Sequence, residues 1–255
     1  MKYYKNVKSY SVTWLANTYD KNTSQGTIAN YYLPETMEEF TELCRELYRK
    51  NEKFHVVGST SNVYIRPNTS FKHMISIRLL NRFYLDNDFM VCECGASVKR
   101  IVRRMVIDGI DGYACMIDLP GTIGGGVYGN AGVSRHSIVR QLKDVTVLLD
   151  NGSIRTFSPD DLGFTFRSSA LKRGELQGII LSCRLKRTPG NKKEIEDEAM
   201  MVHEWRKENQ PGAARNLGTT SLLSIAKPTL KGKLLRGIAT VGAFVLKPND
   251  KAGFK

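Results

Sequence analysis

The chain has 255 residues, 41% of them hydrophobic and 25% charged, and a formal net charge of +13. That size and balance suffice for a real core in one large domain or two smaller ones. No stretch approaches the roughly 18 apolar residues that a spanning helix needs, and the N-terminus "MKYYKNVKSYSVTWLANTYD" lacks an apolar signal core, so the expectation is a soluble, cytoplasmic protein.

Five cysteines, Cys44, Cys92, Cys94, Cys115 and Cys183, are an odd number without metal-ligand spacing. Reduced thiols and no metal site are expected. The positive charge is uneven: after Glu208 come eight Lys or Arg and one acid, Asp250. A basic balance suits nucleic acid in general, but phosphorylated cofactors and sugar nucleotides ask for the same residues. A charge concentrated in the tail points to the second group and to no nucleic acid.

Taken in chain order, "TIANYYLP" reads as a strand stopped by Pro34, and a helix starts near Glu35, with Met37, Phe40, Leu43, Cys44 and Leu47 at helical spacing. "KFHVVGSTSNVYI" is an apolar strand, a small polar loop and another apolar strand, the pattern of a buried strand ending in a ligand-facing turn. Further strands follow in "HMISIRLLNRFYLDNDFMVCECGAS", broken by the turn signal "DND". Cys92 and Cys94 would share one strand face, where buried packing is expected rather than a redox pair. "SVKRIVRRMVIDGIDGYA" puts Val98, Ile101, Val102, Met105 and Val106 on one helix face and ends at Gly109. "VRQLKDVTVLLDNGSIRTF" reads as a hairpin with Asn151-Gly152 in a type I′ turn. "GIILSCRLKR" is a last strand, and "NKKEIEDEAMMVHEWRKENQ" a charged helix before a basic, turn-rich tail.

Between these elements "DLPGTIGGGVYGNAG", Asp118 to Gly132, carries six glycines. Such a composition disfavours regular helix or strand and permits positive φ and close approach by a flat or phosphorylated ligand. Ile123, Val127, Tyr128 and Ala131 interrupt the glycines, so the segment is expected to be packed rather than a flexible linker. The loop Gly58 to Asn62, "GSTSN", offers backbone N–H groups and small hydroxyls for a pyrophosphate but no P-loop lysine.

The stretch "LPGTIGGGVYGNAG" resembles the signature "IPGTVGGAVYMNAG" of the UDP-N-acetylenolpyruvoylglucosamine reductase (UDP-N-acetylmuramate dehydrogenase) family. "VVGSTSNVYI", "CECGAS", "DDLGFTFRSSALK" and "WRKENQP" resemble further family elements in the right order, over roughly residues 17 to 215. The resemblance implies an α+β fold of two FAD-binding subdomains of the vanillyl-alcohol-oxidase-like type, over residues 1–80 and 81–188. Residues 189–255 would be a reduced, basic C-terminal substrate domain. By resemblance, Gly58, Ser59, Thr60, Ser61 and Asn62 would wrap the pyrophosphate of a noncovalently held FAD. Pro120, Gly121, Thr122, Gly124, Gly125, Asn130, Ala131 and Gly132 would line the cofactor. The first loop has no histidine for a flavin linkage, and His136 is expected at the surface or in a hydrogen bond.

The implied reaction passes electrons from NADPH through FAD to the enolpyruvyl group of UDP-N-acetylglucosamine enolpyruvate, a step of peptidoglycan synthesis. Arg167 would steady the developing enolate, and Thr219 takes the place of the family's proton-donating serine, with Ser221 as the fallback. The family's "GS-x-F-K-N-P" flank is missing around Thr219, and no Glu follows Glu208 where the family has a catalytic one. Two alternatives stand beside this reading: a divergent FAD-dependent oxidoreductase acting on another nucleotide- or lipid-linked sugar in surface-polysaccharide synthesis, and a nonenzymatic FAD-stabilised interaction module. In the last, the basic tail would make weak contact with an anionic membrane surface.

Overall fold

A computed structural model describes residues 1–8, 26–65, 69–133, 136–209 and 244–245. Two sheets form its frame. The first contains β1 (Lys2–Lys8), β2 (Thr27–Leu33), β3 (Phe54–Val57) and, after the short β4 (Val63–Tyr64), β5 (Phe71–Ser76), in the order β1-β2-β5-β3. Its inner strands run parallel, β2 and β3 both pairing with β5, while β1 lies antiparallel on the β2 edge. The crossover between β2 and β3 is α1 (Met37–Arg49), capped by Thr36, whose hydroxyl accepts from Glu39 N. Its apolar stripe, Phe40, Leu43, Cys44 and Leu47, is buried.

The second sheet is wholly antiparallel. It is built from β6 (Phe83–Asp86), β7 (Phe89–Glu93), β10 (Leu142–Leu149), β11 (Ile154–Phe157) and β12 (Gly178–Lys186), in the order β11-β10-β12-β7-β6. Between β7 and β10 come α2 (Val98–Ile107), α3 (Ile123–Tyr128) and the small ribbon of β8 (Gly132–Val133) and β9 (His136–Ser137). The one-turn α4 (Ala170–Arg173) precedes β12, and α5 (Lys192–Asn209) follows it. Far along the chain, β13 (Phe244–Val245) pairs in parallel with β4. Among the described residues no helix is long and apolar enough to cross a membrane. The α+β class and the order of elements agree with the sequence reading.

One core joins the two sheets: the buried stripe of α1 and Ile75 and Ile77 pack in the same cluster as Met90, Cys92, Val145 and Leu185 of the second sheet and Ile101 and Met105 of α2. A smaller cluster, including Ile28, Tyr31, Val57 and Met74, lies in the first sheet. Cys92 and Cys183 face each other across β7 and β12, and both are buried free thiols, as Cys94 is. The charged helix reads as expected along α5, which buries Ile195, Ala199 and Arg206 and exposes Met200, Met201 and Trp205.

Two local readings are corrected. The turn after β10 is not type I′: Gly152 alone is left-handed, with φ +82°, and Gly152 N donates to Leu149 O at 2.9 Å. This is a three-residue loop closed by a left-handed glycine, for which the backbone of Asn151 need not be strained. The glycine-rich stretch also holds a regular helix after all. Thr122 caps α3 by accepting from Gly125 N, and Gly124 N donates to Cys94 O at 2.7 Å, so tertiary contact outweighs the poor helix propensity of the glycines.

The missing side chain at Gly124 is what permits that contact. A Cβ there would stand 2.9 Å from Cys94 O and 3.0 Å from Cys94 Cβ, whereas one at Gly129 would meet nothing nearer than Gly125 O at 3.5 Å. Gly124→Ala is therefore expected to lower unfolding free energy by about 2 kcal/mol through overpacking. Gly129→Ala should stay within about 0.5 kcal/mol of the parent in the same denaturant titration.

Candidate functional site

The loop after β3 and the glycine-rich segment meet. A Cβ on Gly58 would lie 2.3 Å from Thr122 Oγ1, and one on Gly121 would lie 3.3 Å from Ser61 Oγ. Sequence positions some sixty residues apart thus form one surface, with Ser59, Asn62, Pro120 and Gly125 exposed on it and Thr60 and Thr122 buried beneath. The backbone N–H groups of Ser59, Ser61 and Asn62 donate to no other described residue. Thr60 between them sits at φ +55°, a left-handed backbone that successive amides adopt when they line a concave anion site.

The far end of the segment is stapled to the loop before α4. Asn130 Nδ2 donates to Thr165 O at 2.7 Å, Ser169 Oγ to Tyr128 O at 2.7 Å, and Arg167 Nη2 to Gly132 O at 2.6 Å. A longer bond of 3.4 Å joins Arg167 Nη1 to Asn130 O. Thr165 and Ser168 exchange backbone hydrogen bonds around Phe166 and Arg167, and Arg167 has φ +55°. Lys172 Nζ donates to Arg167 O at 2.6 Å and so braces that turn. Burial lowers the pKa of Arg167, and burial followed by the nearby Arg167 charge lowers that of Lys172. A guanidinium keeps its charge through such a shift. Ala131 N donates to Gly126 O at 2.7 Å, which closes the segment on the C-terminal end of α3.

Seven described residues other than glycine have positive φ: Asn6, Asn51, Thr60, Asn87, Asp118, Asn130 and Arg167. Asparagine tolerates this conformation, but threonine, aspartate and arginine do so at a cost of about 1 kcal/mol or more each. All three lie in the loops just described. His136 is exposed on β9, in keeping with a surface residue. Thr219, Ser221, Asp250 and the basic tail lie outside the described residues apart from Phe244 and Val245.

Composition did not mark out Asp118. Its carboxylate takes Lys99 Nζ at 2.8 Å and Arg103 Nη2 at 3.0 Å from α2, and His203 Nδ1 at 2.5 Å from α5. Partial burial acts to raise its pKa, but the hydrogen bonds from Lys99 and His203, with the charges of Lys99 and Arg103, hold the carboxyl well below the usual carboxylate range. A carboxyl with a depressed folded pKa stabilises the fold above its unfolded value, and that stability is lost as pH falls toward the folded one. Thermal unfolding from about pH 5 down to about pH 2.5 should show a steep loss of stability below about pH 4 in the parent. The slope should be shallower in Asp118→Asn, which has no proton to gain.

The FAD binding domain family matches residues 28–158 of this chain. A UDP-N-acetylenolpyruvoylglucosamine reductase of Corynebacterium glutamicum is 30% identical over 220 residues, covering 85% of this chain and 64% of that protein. The reductase of Prochlorococcus marinus is 28% identical over 211 residues, covering 82% of this chain and 71% of that protein. The chain thus spans less than two thirds of the length of the Corynebacterium relative. The crystal structure of UDP-N-acetylenolpyruvylglucosamine reductase from Thermus caldophilus superposes with a TM-score of 0.69 at 25% identity, over 92% of this chain and 79% of that one. Berberine bridge enzyme from Eschscholzia californica shares the fold alone, with a TM-score of 0.51 at 15% identity, over 75% of this chain and 41% of that one. The surface fits such a cofactor: three amides are left to donate, Gly125 presents backbone without a side chain, and Asn130 Oδ1 is buried with no hydrogen-bond partner among the described residues. The chain belongs to the FAD-binding domain family, as a divergent relative of the UDP-N-acetylenolpyruvoylglucosamine reductases.

Proposed function

We propose that this protein is a cytoplasmic FAD-dependent oxidoreductase that uses NADPH to reduce the enolpyruvyl group of UDP-N-acetylglucosamine enolpyruvate in peptidoglycan synthesis. The observation that carries this reading is the placement of Arg167. Its guanidinium is fixed by the carbonyls of Asn130 and Gly132 at the end of the cofactor segment, on a strained turn braced by Lys172. A preorganised cation of this kind suits negative charge that develops on a substrate during reduction.

Noncovalent FAD would supply the hydride. The amides of Ser59, Ser61 and Asn62 would donate to its pyrophosphate, with the hydroxyls of Ser59 and Ser61 beside them, buried Thr60 shaping the turn through its left-handed backbone, and Gly58 letting this loop close on Thr122. Pro120, Gly121 and Gly125 would present backbone to the flavin side, with Asn130 and Ala131 continuing the lining, while buried Thr122, Gly124 and Gly132 would support that surface from beneath. Arg167 would hold the substrate's developing negative charge, and Thr219 would return the proton. In this reading residues 1–80 and 81–188 are the two halves that clasp the cofactor, and residues 189–255 face a nucleotide-sugar substrate.

The full chain, purified and yellow, is mixed under anaerobic conditions with NADPH and UDP-N-acetylglucosamine enolpyruvate, and nicotinamide absorbance is followed. Turnover that falls by at least about 100-fold in Arg167→Ala supports the proposal, since the loss of one such electrostatic group costs that much. Flavin reduction by NADPH with no reoxidation by this substrate would replace it with an oxidoreductase acting on another nucleotide- or lipid-linked sugar. Failure of any nicotinamide to reduce the flavin would leave a binding module. The cofactor assignment has its own check: Gly58→Ala, which drives a methyl into Thr122, should copurify with much less flavin than the parent while keeping its far-ultraviolet circular dichroism.

A further inference from the structure

The turn from Asp118 to Thr122 is held from two helices. At its second end, Val98 N, at the start of α2, donates to Gly121 O at 3.1 Å, and Ser97 bridges Thr122 in antiparallel fashion. At its first end the Asp118 carboxylate gathers Lys99 and Arg103 from α2 and His203 from α5. The backbone of Asp118 is left-handed, with φ +61°, a conformation that aspartate visits at some cost and that side-chain partners must fix. Within the turn lie exposed Pro120 and half-buried Gly121, and Gly121 faces Ser61 of the opposite loop.

Arg206 of α5 adds a second constraint. The residue is only 9% exposed, and its Nε has no hydrogen-bond partner among the described residues. Burial pulls its pKa down, and the Asp118 charge acts against that shift. Asp118 therefore sets one carboxylate against three cations, Lys99, Arg103 and Arg206, and the His203 imidazole, drawn from two helices.

We propose that Asp118 is a positioning residue for FAD: by tying α2 and α5 to the cofactor turn, it sets where Pro120 and Gly121 stand opposite Ser61. This rests on the assignment of FAD to the site and is independent of the substrate. A contact surface fixed before the ligand arrives binds without the cost of ordering it, so loosening the turn weakens affinity even though Asp118 itself need not touch FAD.

The test is FAD affinity of the full chain, stripped of flavin and titrated with FAD while the quenching of flavin fluorescence and the visible circular dichroism of the bound flavin are followed. Asn accommodates a left-handed backbone as well as Asp does but cannot balance the cations. Asp118→Asn is expected to raise the FAD Kd about tenfold, and His203→Gln, which removes one exposed partner, about two- to threefold, with altered visible circular dichroism in both. Asp118→Asn leaves buried Arg206 uncompensated and can unfold the protein. The double variant Asp118→Asn with Arg206→Met relieves that cost and should show the same loss of affinity. Parent-like Kd and visible circular dichroism in the folded Asp118 variants would overturn the proposal. A parent chain that binds no FAD would instead overturn the cofactor assignment beneath it.

Discussion

The close approach of the glycine segment to the end of β7 is the constraint on which the rest depends. Gly124 N reaches Cys94 O at 2.7 Å, and no room remains there for a side chain. Backbone against backbone at this distance fixes α3 in height and rotation, and with it the turn that precedes the helix and the loop that follows. From there the contacts run outward in both directions. Thr122 presses on Gly58, so the phosphate-sized loop after β3 takes its position from α3. Asn130 and Gly132 receive Arg167, so the loop before α4 takes its position from the same helix. Two sheets and three loops are thereby referred to a helix of only six residues.

Strain is distributed accordingly. Thr60, Asp118 and Arg167 adopt backbones that their side chains disfavour, one in each of the three loops that meet at this place. Such conformations persist where surrounding contacts over-determine them. Each is so held: Asp118 by side chains from two helices, Arg167 by its own guanidinium bonds and by Lys172, and Thr60 within the turn closed by Val63 N on Thr60 O at 3.2 Å. Elsewhere among the described residues the left-handed non-glycine positions are asparagines, which need no such support.

Much of this was legible in the residues. Apolar spacing gave the buried face of α2 residue by residue, and that of α1 except that Met37 is half-buried and Thr41 is buried in addition, because amphipathic helices declare their core side through period. Side-chain caps at Thr36, Ser97, Thr122 and Ser169 set helix starts that apolar spacing alone does not locate. The resemblance carried the meeting of Gly58–Asn62 with the glycine segment, a contact that no local rule predicts. Three things were hidden. The helical state of Ile123–Tyr128 depends on Cys94, a tertiary partner, and contradicts intrinsic propensity. The hairpin turn was read from the pair Asn151-Gly152, whereas the chain uses three residues and needs only the glycine left-handed. Asp118 looked like an ordinary loop acid, since its partners Lys99, Arg103 and His203 come from helices up to 85 positions away.

The shared core of the two sheets has a mechanical consequence. Because the α1 stripe shares one buried cluster with residues of both sheets, and Arg45 Nε also reaches Gly152 O at 3.1 Å in the turn between β10 and β11, the two sheets are tied through packed side chains among the described residues. A closing motion of one sheet on the other would have to open that shared core. Whatever adjustment binding demands must then come from side-chain rotamers and from the loops themselves, on the nanosecond to microsecond scale of such motions rather than the slower scale of domain closure.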